Sequence, residues 1–153
     1  MDNKEKWMRY ALQEAEKALI DDEVPIGAII IKDDKIIGRG FNKTESLKDC
    51  TAHAEIIAIT SASNSLDDWR LNKCSIYVTK EPCLMCFGAI INSRINKLYF
   101  GMKDDINGFS VKTKKEKETQ GKHLSLIESN FMEVDCRFLI QNFFKNKRKK
   151  NIK

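Results

Sequence analysis

The run Ser75-Ile76-Tyr77-Val78-Thr79 is rich in β-branched residues, and Pro82, Cys83 and Cys86 follow almost at once. The first segment reads as a strand, and Leu84 to Ile91 as a core helix. Pro82 suits the opening of that helix, where its missing N–H would be unpaired in any case. A second helix is expected from Ala54 to Ala62, starting near Thr51-Ala52-His53, after a hairpin of Ile26–Ile31 and Lys35–Gly40 around Asp33-Asp34. Each helix would then present its N-terminus at one end of a common sheet.

The remaining segments fit that frame. Trp7, Met8, Ala11, Leu12, Ala15, Ala18 and Leu19 recur at three and four, predicting an amphipathic helix over 4–20, and Pro25 bars its continuation. Lys97–Phe100 and Leu124–Ile127 are further strand candidates. Residues 102–122 are polar and lysine-rich and read as loop with a short helix. Cys136, Leu139, Ile140, Phe143 and Phe144 mark a terminal helix. The order α-β-β-α-β-α-β-(β)-α predicts a mixed sheet covered by helices on both faces. With no internal repeat and no Pro/Ser-rich linker, residues 1–153 are expected to form one domain.

Two thiols three positions apart could be a redox switch, half of a structural metal clip or part of a catalytic metal site. The chain has five cysteines, an odd number at irregular spacing, which argues against a disulfide framework. No apolar run approaches the roughly 18 residues of a membrane span. The charged start, MDNKEKWMRY, lacks the apolar core of a signal peptide, so a cytoplasmic location is expected. The net charge of +5 is concentrated in Lys145–Lys153, which holds six Lys/Arg and no acid; removing these six leaves residues 1–144 at −1. Such an end can collect phosphates in a salt-dependent way, or can be a solvated terminus.

Zinc requires three or four N or S ligands in a tetrahedral array. Cys83 and Cys86, one turn apart at a helix start, can face one ion, and the positive end of the helix favours their thiolates. His53 is the natural third ligand. Glu55, two positions on, can reach a water at the metal without ligating it, as metal-assisted hydrolysis requires. A closed site, with Cys74 or His123 as a fourth ligand, would leave Glu55 idle, and a redox pair would leave both His53 and Glu55 unexplained.

The pattern H-x-E followed by P-C-x-x-C is the signature of zinc-dependent nucleobase deaminases. Beyond it, Glu23-Val24-Pro25-Ile26-Gly27-Ala28, Gly38-Arg39-Gly40-Phe41-Asn42, TAHAEI, YVTKEPCLMCFGAIINSRI, Tyr99-Phe100-Gly101 and Asn142-Phe143-Phe144-Lys145 give the chain a narrower likeness. It resembles the bacterial tRNA-specific adenosine deaminases, within the cytidine/deoxycytidylate deaminase superfamily.

The resemblance implies a three-layer α/β/α, cytidine-deaminase-like fold around a mixed sheet of about five strands. It implies one zinc ion per subunit on His53, Cys83 and Cys86, with Glu55 as the proton shuttle. Asn42 and the backbone amide of Ala54 would hold the purine, although Asn42 is also an ordinary turn former. Val24 and Leu84 would wall the pocket, and Lys103, Asp104, His123 and Phe144 would meet substrate. Lys112, Lys114, Lys115 and the basic tail could hold flanking phosphates. The expected reaction is hydrolysis of the wobble adenosine of a tRNA anticodon stem-loop to inosine, by a homodimer. A small-molecule deaminase acting on guanine, cytosine or a nucleoside is the alternative on the same scaffold. After Gly101 the chain departs from the family. Met102 to Ser110 keeps a basic–acidic pair but has bulkier residues than the usual small run, and Lys122-His123 stands where Asn-His is common.

Overall fold

The computed structural model describes residues 3–113 and 121–151. In chain order the elements are α1 (Asn3–Ile20), β1 (Gly27–Lys32), β2 (Lys35–Phe41), α2 (Thr44–Leu47) and α3 (Ala54–Leu66). They continue with β3 (Ser75–Lys80), α4 (Leu84–Asn92), β4 (Lys97–Met102), α5 (Phe109–Lys112), β5 (Leu126–Glu128) and a terminal helix, α6 (Glu133–Asn151). The five strands form one sheet in the order β2-β1-β3-β4-β5. β1 runs antiparallel to both β2 and β3, whereas β3, β4 and β5 are mutually parallel neighbours, so the sheet is mixed as expected. The β1–β2 turn is made by Asp33 and Asp34, both at positive φ, which matches the right-handed twist of a two-residue hairpin.

Strand alternation divides the core into two layers. Register aligns Ala28 with Val78 and Val78 with Phe100, and these belong to a cluster with Ala54, Ala58, Ala62, Phe87 and Ile90 of α3 and α4. One residue along, Ile29, Tyr77 and Tyr99 align across the opposite face and pack with Trp7, Met8 and Ala11 of α1 and with Cys136 and Ile140 of α6. The period of two therefore assigns α3 and α4 to one face and α1 and α6 to the other. This three-layer arrangement is the one the resemblance implies.

Two glycines fix where α3 sits. A Cβ on Gly40 would run into the Ala54 carbonyl and the Ala58 amide, and one on Gly38 would meet the Ala58 carbonyl and Ala62. Their absence of side chain lets the first turns of α3 lie directly on β2, which sets the height of His53 and Glu55 above the sheet.

Two local expectations need correction. Pro82 does not open α4: Cys83 is the N-cap, so Pro82 lies one residue outside the helix, and its carbonyl accepts the Phe109 amide at 2.9 Å. The short helix α2 was not foreseen, since its four residues, Thr44-Glu45-Ser46-Leu47, carry no apolar period and none is buried. It exists because other side chains hold its first turn.

A candidate metal centre at the base of a cavity

The two crossovers after β2 and β3 bring their helix starts together. His53 is the N-cap of α3 and Cys83 the N-cap of α4, both with extended backbone, and neither uses its side chain to cap its own helix. An N-cap side chain normally turns back to the first-turn amides; here both are directed at each other. His53 Nδ1 lies 3.6 Å from Cys83 Sγ and 3.5 Å from Cys86 Sγ, and the three ligand atoms all fall within 4.8 Å of one another.

Those spacings suit a tetrahedral ion. With Zn–S of about 2.3 Å and Zn–N of about 2.0–2.1 Å, a tetrahedral N···S edge is about 3.6 Å. The donor set, one imidazole and two thiols, is that of a borderline-soft cation. Among the described residues the group has three members, so His53, Cys83 and Cys86 could hold a metal and leave a coordination position for another ligand.

Without a cation the same groups share protons among themselves. A hydrogen bond from the Cys86 thiol, then the one with His53, hold the Cys83 thiol well below its ordinary range, at about 4. The Cys83 hydrogen bond raises the His53 imidazole, and the Cys86 thiol is pushed up by its bond to Cys83 and by burial. An apolar setting that nonetheless favours a thiolate is one prepared for positive charge.

Glu55, in the first turn of α3, is 4% exposed, and burial pushes its carboxyl up to about 7, the negative Cys83 adding to that rise. It lines, with His53, Ala54 and Cys83, a cavity of about 560 Å³. The Ala54 amide is the first of its helix, where α-helical geometry provides no internal acceptor. Asn42 joins the same cavity; its side-chain oxygen accepts the Thr44 amide at 3.4 Å, so it serves as a turn residue as well.

Val24 and Leu84 also line the cavity, Leu84 being 52% exposed, and Phe144 closes one side of it from α6. Lys147, one turn after Phe144, pairs with Asp22 at 2.5 Å and ties the basic helix end to the segment before Val24. Asp104 and Lys112 lie on the cavity from the other side. The Asp104 carboxylate is already committed, to Lys80 at 3.1 Å and to the amides of Ile106 and Asn107 at 3.0 Å each, which together hold it below the usual carboxylate range once its desolvation is offset.

Two expected substrate contacts are not brought to this cavity. Lys103 is exposed and outside its lining. His123 lies at the opposite end of the sheet, because β5 pairs with the first residues of β4, Leu126 with Lys97, and the His123 carbonyl accepts the Asn96 side-chain amide. Lys114, Lys115 and the last two residues of the tail lie outside the described residues. Ile26, Thr44, Lys80, Glu81, Met85 and Asn107 also line the cavity, and the sequence reading did not single them out for it. Only Glu81 had a signal, its place immediately before Pro82-Cys83.

A protein-family model described as MafB19-like deaminase matches residues 2–148. The tRNA-specific adenosine deaminase of Buchnera aphidicola subsp. Schizaphis graminum is 44% identical over 142 residues, covering 93% of this chain and 94% of that protein. A solved structure from a study of A-to-I editing by tRNA:A34 deaminases at the wobble position of transfer RNA superposes with a TM-score of 0.80 at 39% identity, over 88% of this chain and 98% of that one. A guanine deaminase from Nitrosomonas europaea shares the fold, with a TM-score of 0.79 at 23% identity over 91% of this chain and 83% of that one.

Proposed function

The chain belongs to the tRNA-specific adenosine deaminase family, and we propose that it hydrolyses the wobble adenosine of a tRNA anticodon to inosine. The observation that carries this reading is Glu55: a buried carboxyl beside a three-membered His/Cys/Cys group, on a cavity large enough for a purine. Zinc held by His53, Cys83 and Cys86 would supply a Lewis acid that acidifies water at the base of the cavity toward a pKa of about 7.

The chain's own residues then perform the rest. Glu55 takes one proton from the attacking water and delivers it to N1 of the purine, then takes the proton left on the new C6 hydroxyl and gives it to the departing amine. The water oxygen remains on C6, the C6–N bond breaks, and ammonia leaves. Buried at the base of the cavity beside the His/Cys/Cys group, the Glu55 carboxyl is placed to take and give each proton. Asn42 and the Ala54 amide orient the base, while Val24 and Leu84 exclude water from its faces. A loop nucleotide can be splayed into such a cavity more cheaply than a paired base.

The wobble position favours this substrate over a free base because the mouth is basic on one side. Lys145 to Lys150 continue the helix that carries Phe144, and the Lys147–Asp22 pair holds that helix against the cavity. Lys112 can take a second phosphate from the other side. In this reading the enzyme is a cytoplasmic homodimer, one zinc per subunit, acting on an anticodon stem-loop. Among the described residues no helix is long and apolar enough to cross a membrane.

The test is to incubate the protein with an adenosine-bearing anticodon stem-loop and, separately, with adenine, guanine and cytosine. Inosine and ammonia from the stem-loop alone support the proposal, with affinity falling steeply as salt rises. Turnover of a free base that is indifferent to salt would replace it with a small-molecule deaminase.

A further inference from the structure

Glu81 is 3% exposed, and a buried carboxylate is tolerated only where donors meet it. Three do. The Asp104 amide donates to Oε1 at 3.1 Å, and the Ser110 amide and hydroxyl donate to Oε2 at 2.9 and 2.6 Å. All three come from the segment after β4, and none from α4, the helix that Glu81 precedes. The surrounding backbone follows the same seam. The Glu81 amide donates to the Met102 carbonyl at 2.8 Å, the Phe109 amide to the Pro82 carbonyl, and Cys83 bridges Gly108. A Cβ on Gly108 would strike the Glu81 carboxylate, so the loop approaches as closely as a glycine permits.

What this seam carries is one side of the cavity. Between the clamped points Asp104 and Ser110 stands Asn107, and just beyond them Lys112, both lining residues. We infer that Glu81 is a positioning residue that holds the Asp104–Lys112 segment as the substrate-reading wall of the cavity, without itself touching the reacting atoms. The inference rests on the reading of the cavity as a nucleotide site. Two oxygens serving three donors require the carboxylate. An amide at this position would turn one NH2 toward an amide donor, releasing either the Asp104 or the Ser110 half of the clamp. The metal group has a hold of its own besides the bridge to Gly108: Cys83 caps its own helix, whose Phe87 amide donates to the Cys83 carbonyl at 2.9 Å.

The experiment compares wild type, Glu81→Gln and Gly108→Ala in the zinc-loaded protein. It reads zinc per chain, amide exchange of Phe109 to Lys112, and kcat and KM on the adenosine stem-loop. Both variants should keep full zinc, exchange those amides about tenfold faster, and raise KM about tenfold with kcat changed less than about threefold, the worth of one lost hydrogen bond in binding. Unchanged exchange and KM in a folded Glu81→Gln protein overturn the inference. So does zinc lost in step with activity, since Glu81 would then serve the metal segment. If Glu81→Gln does not fold, Gly108→Ala breaks the same clamp from the loop side and is judged by the same readouts. A wild type that makes no inosine sinks the substrate reading alone; accelerated exchange at full zinc would still uphold the clamp, and unchanged exchange would end it.

Discussion

The floor of the cavity and its walls are built in opposite ways. The floor is made by two helix starts, with His53 and Glu55 in the first turn of α3 and Cys83 and Cys86 in the first turn of α4. Each group is placed by the backbone it sits on, within one helical turn. The walls are four-residue helices, α2 with no buried residue and α5 with Phe109 alone in the core, and both are tied at a distance by buried acids. Glu23, fully buried, accepts the amides of Glu45 and Ser46 at the start of α2, on the Asn42 side. Glu81 does the same for Asp104 and Ser110 at the start of α5. A floor fixed locally is rigid enough for chemistry, whereas walls tied through carboxylates from other elements can shift without disturbing it.

The largest effects should fall on the floor, and they should separate into two kinds. Glu55→Ala should lower kcat on the stem-loop by about 10³-fold or more while zinc stays bound, because the proton shuttle goes and the ligands remain. Cys83→Ser should lose zinc and activity together. Zinc lost from Glu55→Ala would make that residue a support for the metal rather than a shuttle.

Glu55 also gives the floor a pH signature in metal-free protein. Its folded pKa of about 7 lies above the ordinary 4.5, burial being the chief cause, so between those values the folded chain holds a proton that the unfolded chain has released. Stability contributed through Glu55 therefore falls as pH rises through that window. A shift of this size corresponds to about 3 kcal/mol. Denaturant titrations of metal-free wild type and Glu55→Gln should accordingly agree near pH 4.5 and diverge by roughly this amount above pH 7, with the variant the more stable. A difference that does not change with pH would mean the carboxyl is not desolvated.

This division also decides what could be read from the chain. His53, Glu55, Cys83 and Cys86 were legible because their spacing is local and their helix starts follow strand patterns. The two-layer core was legible from alternation, as at Ile29, Tyr77 and Tyr99 against Ala28, Val78 and Phe100. The walls were not. Glu81 acts on residues 23 and 29 positions away, Glu23 on residues 22 and 23 away, and no period links such pairs. The distance of His123 from the cavity was hidden for a related reason: it depends on the register of a three-residue strand, which the sequence does not specify.

On the walls, smaller effects are expected. Removing residues 145–153 takes the basic end from the Phe144 side and should raise KM for the stem-loop about tenfold at moderate salt, with the difference from wild type shrinking as salt rises. kcat should hardly move, since none of the described residues of that segment lines the cavity. A fall in kcat without a salt-dependent KM would mean that the end packs the fold instead of meeting phosphate.

The smallest expected effect distinguishes two lysines that the sequence presents alike. Lys112 follows the clamped Ser110 and lines the cavity, whereas Lys103 is exposed and outside its lining. Both belong to the lysine-rich segment after β4, and both add one positive charge there. If the wall acts by general attraction, the two alanine variants should weaken stem-loop binding equally, because screened charges at similar range are interchangeable. If the wall is a positioned surface, Lys112→Ala should raise KM a few-fold, about what one phosphate contact contributes, and Lys103→Ala less than about twofold. Repeating both in the Glu81→Gln background then gives a double-mutant cycle: a positioned Lys112 should couple to Glu81, and Lys103 should not.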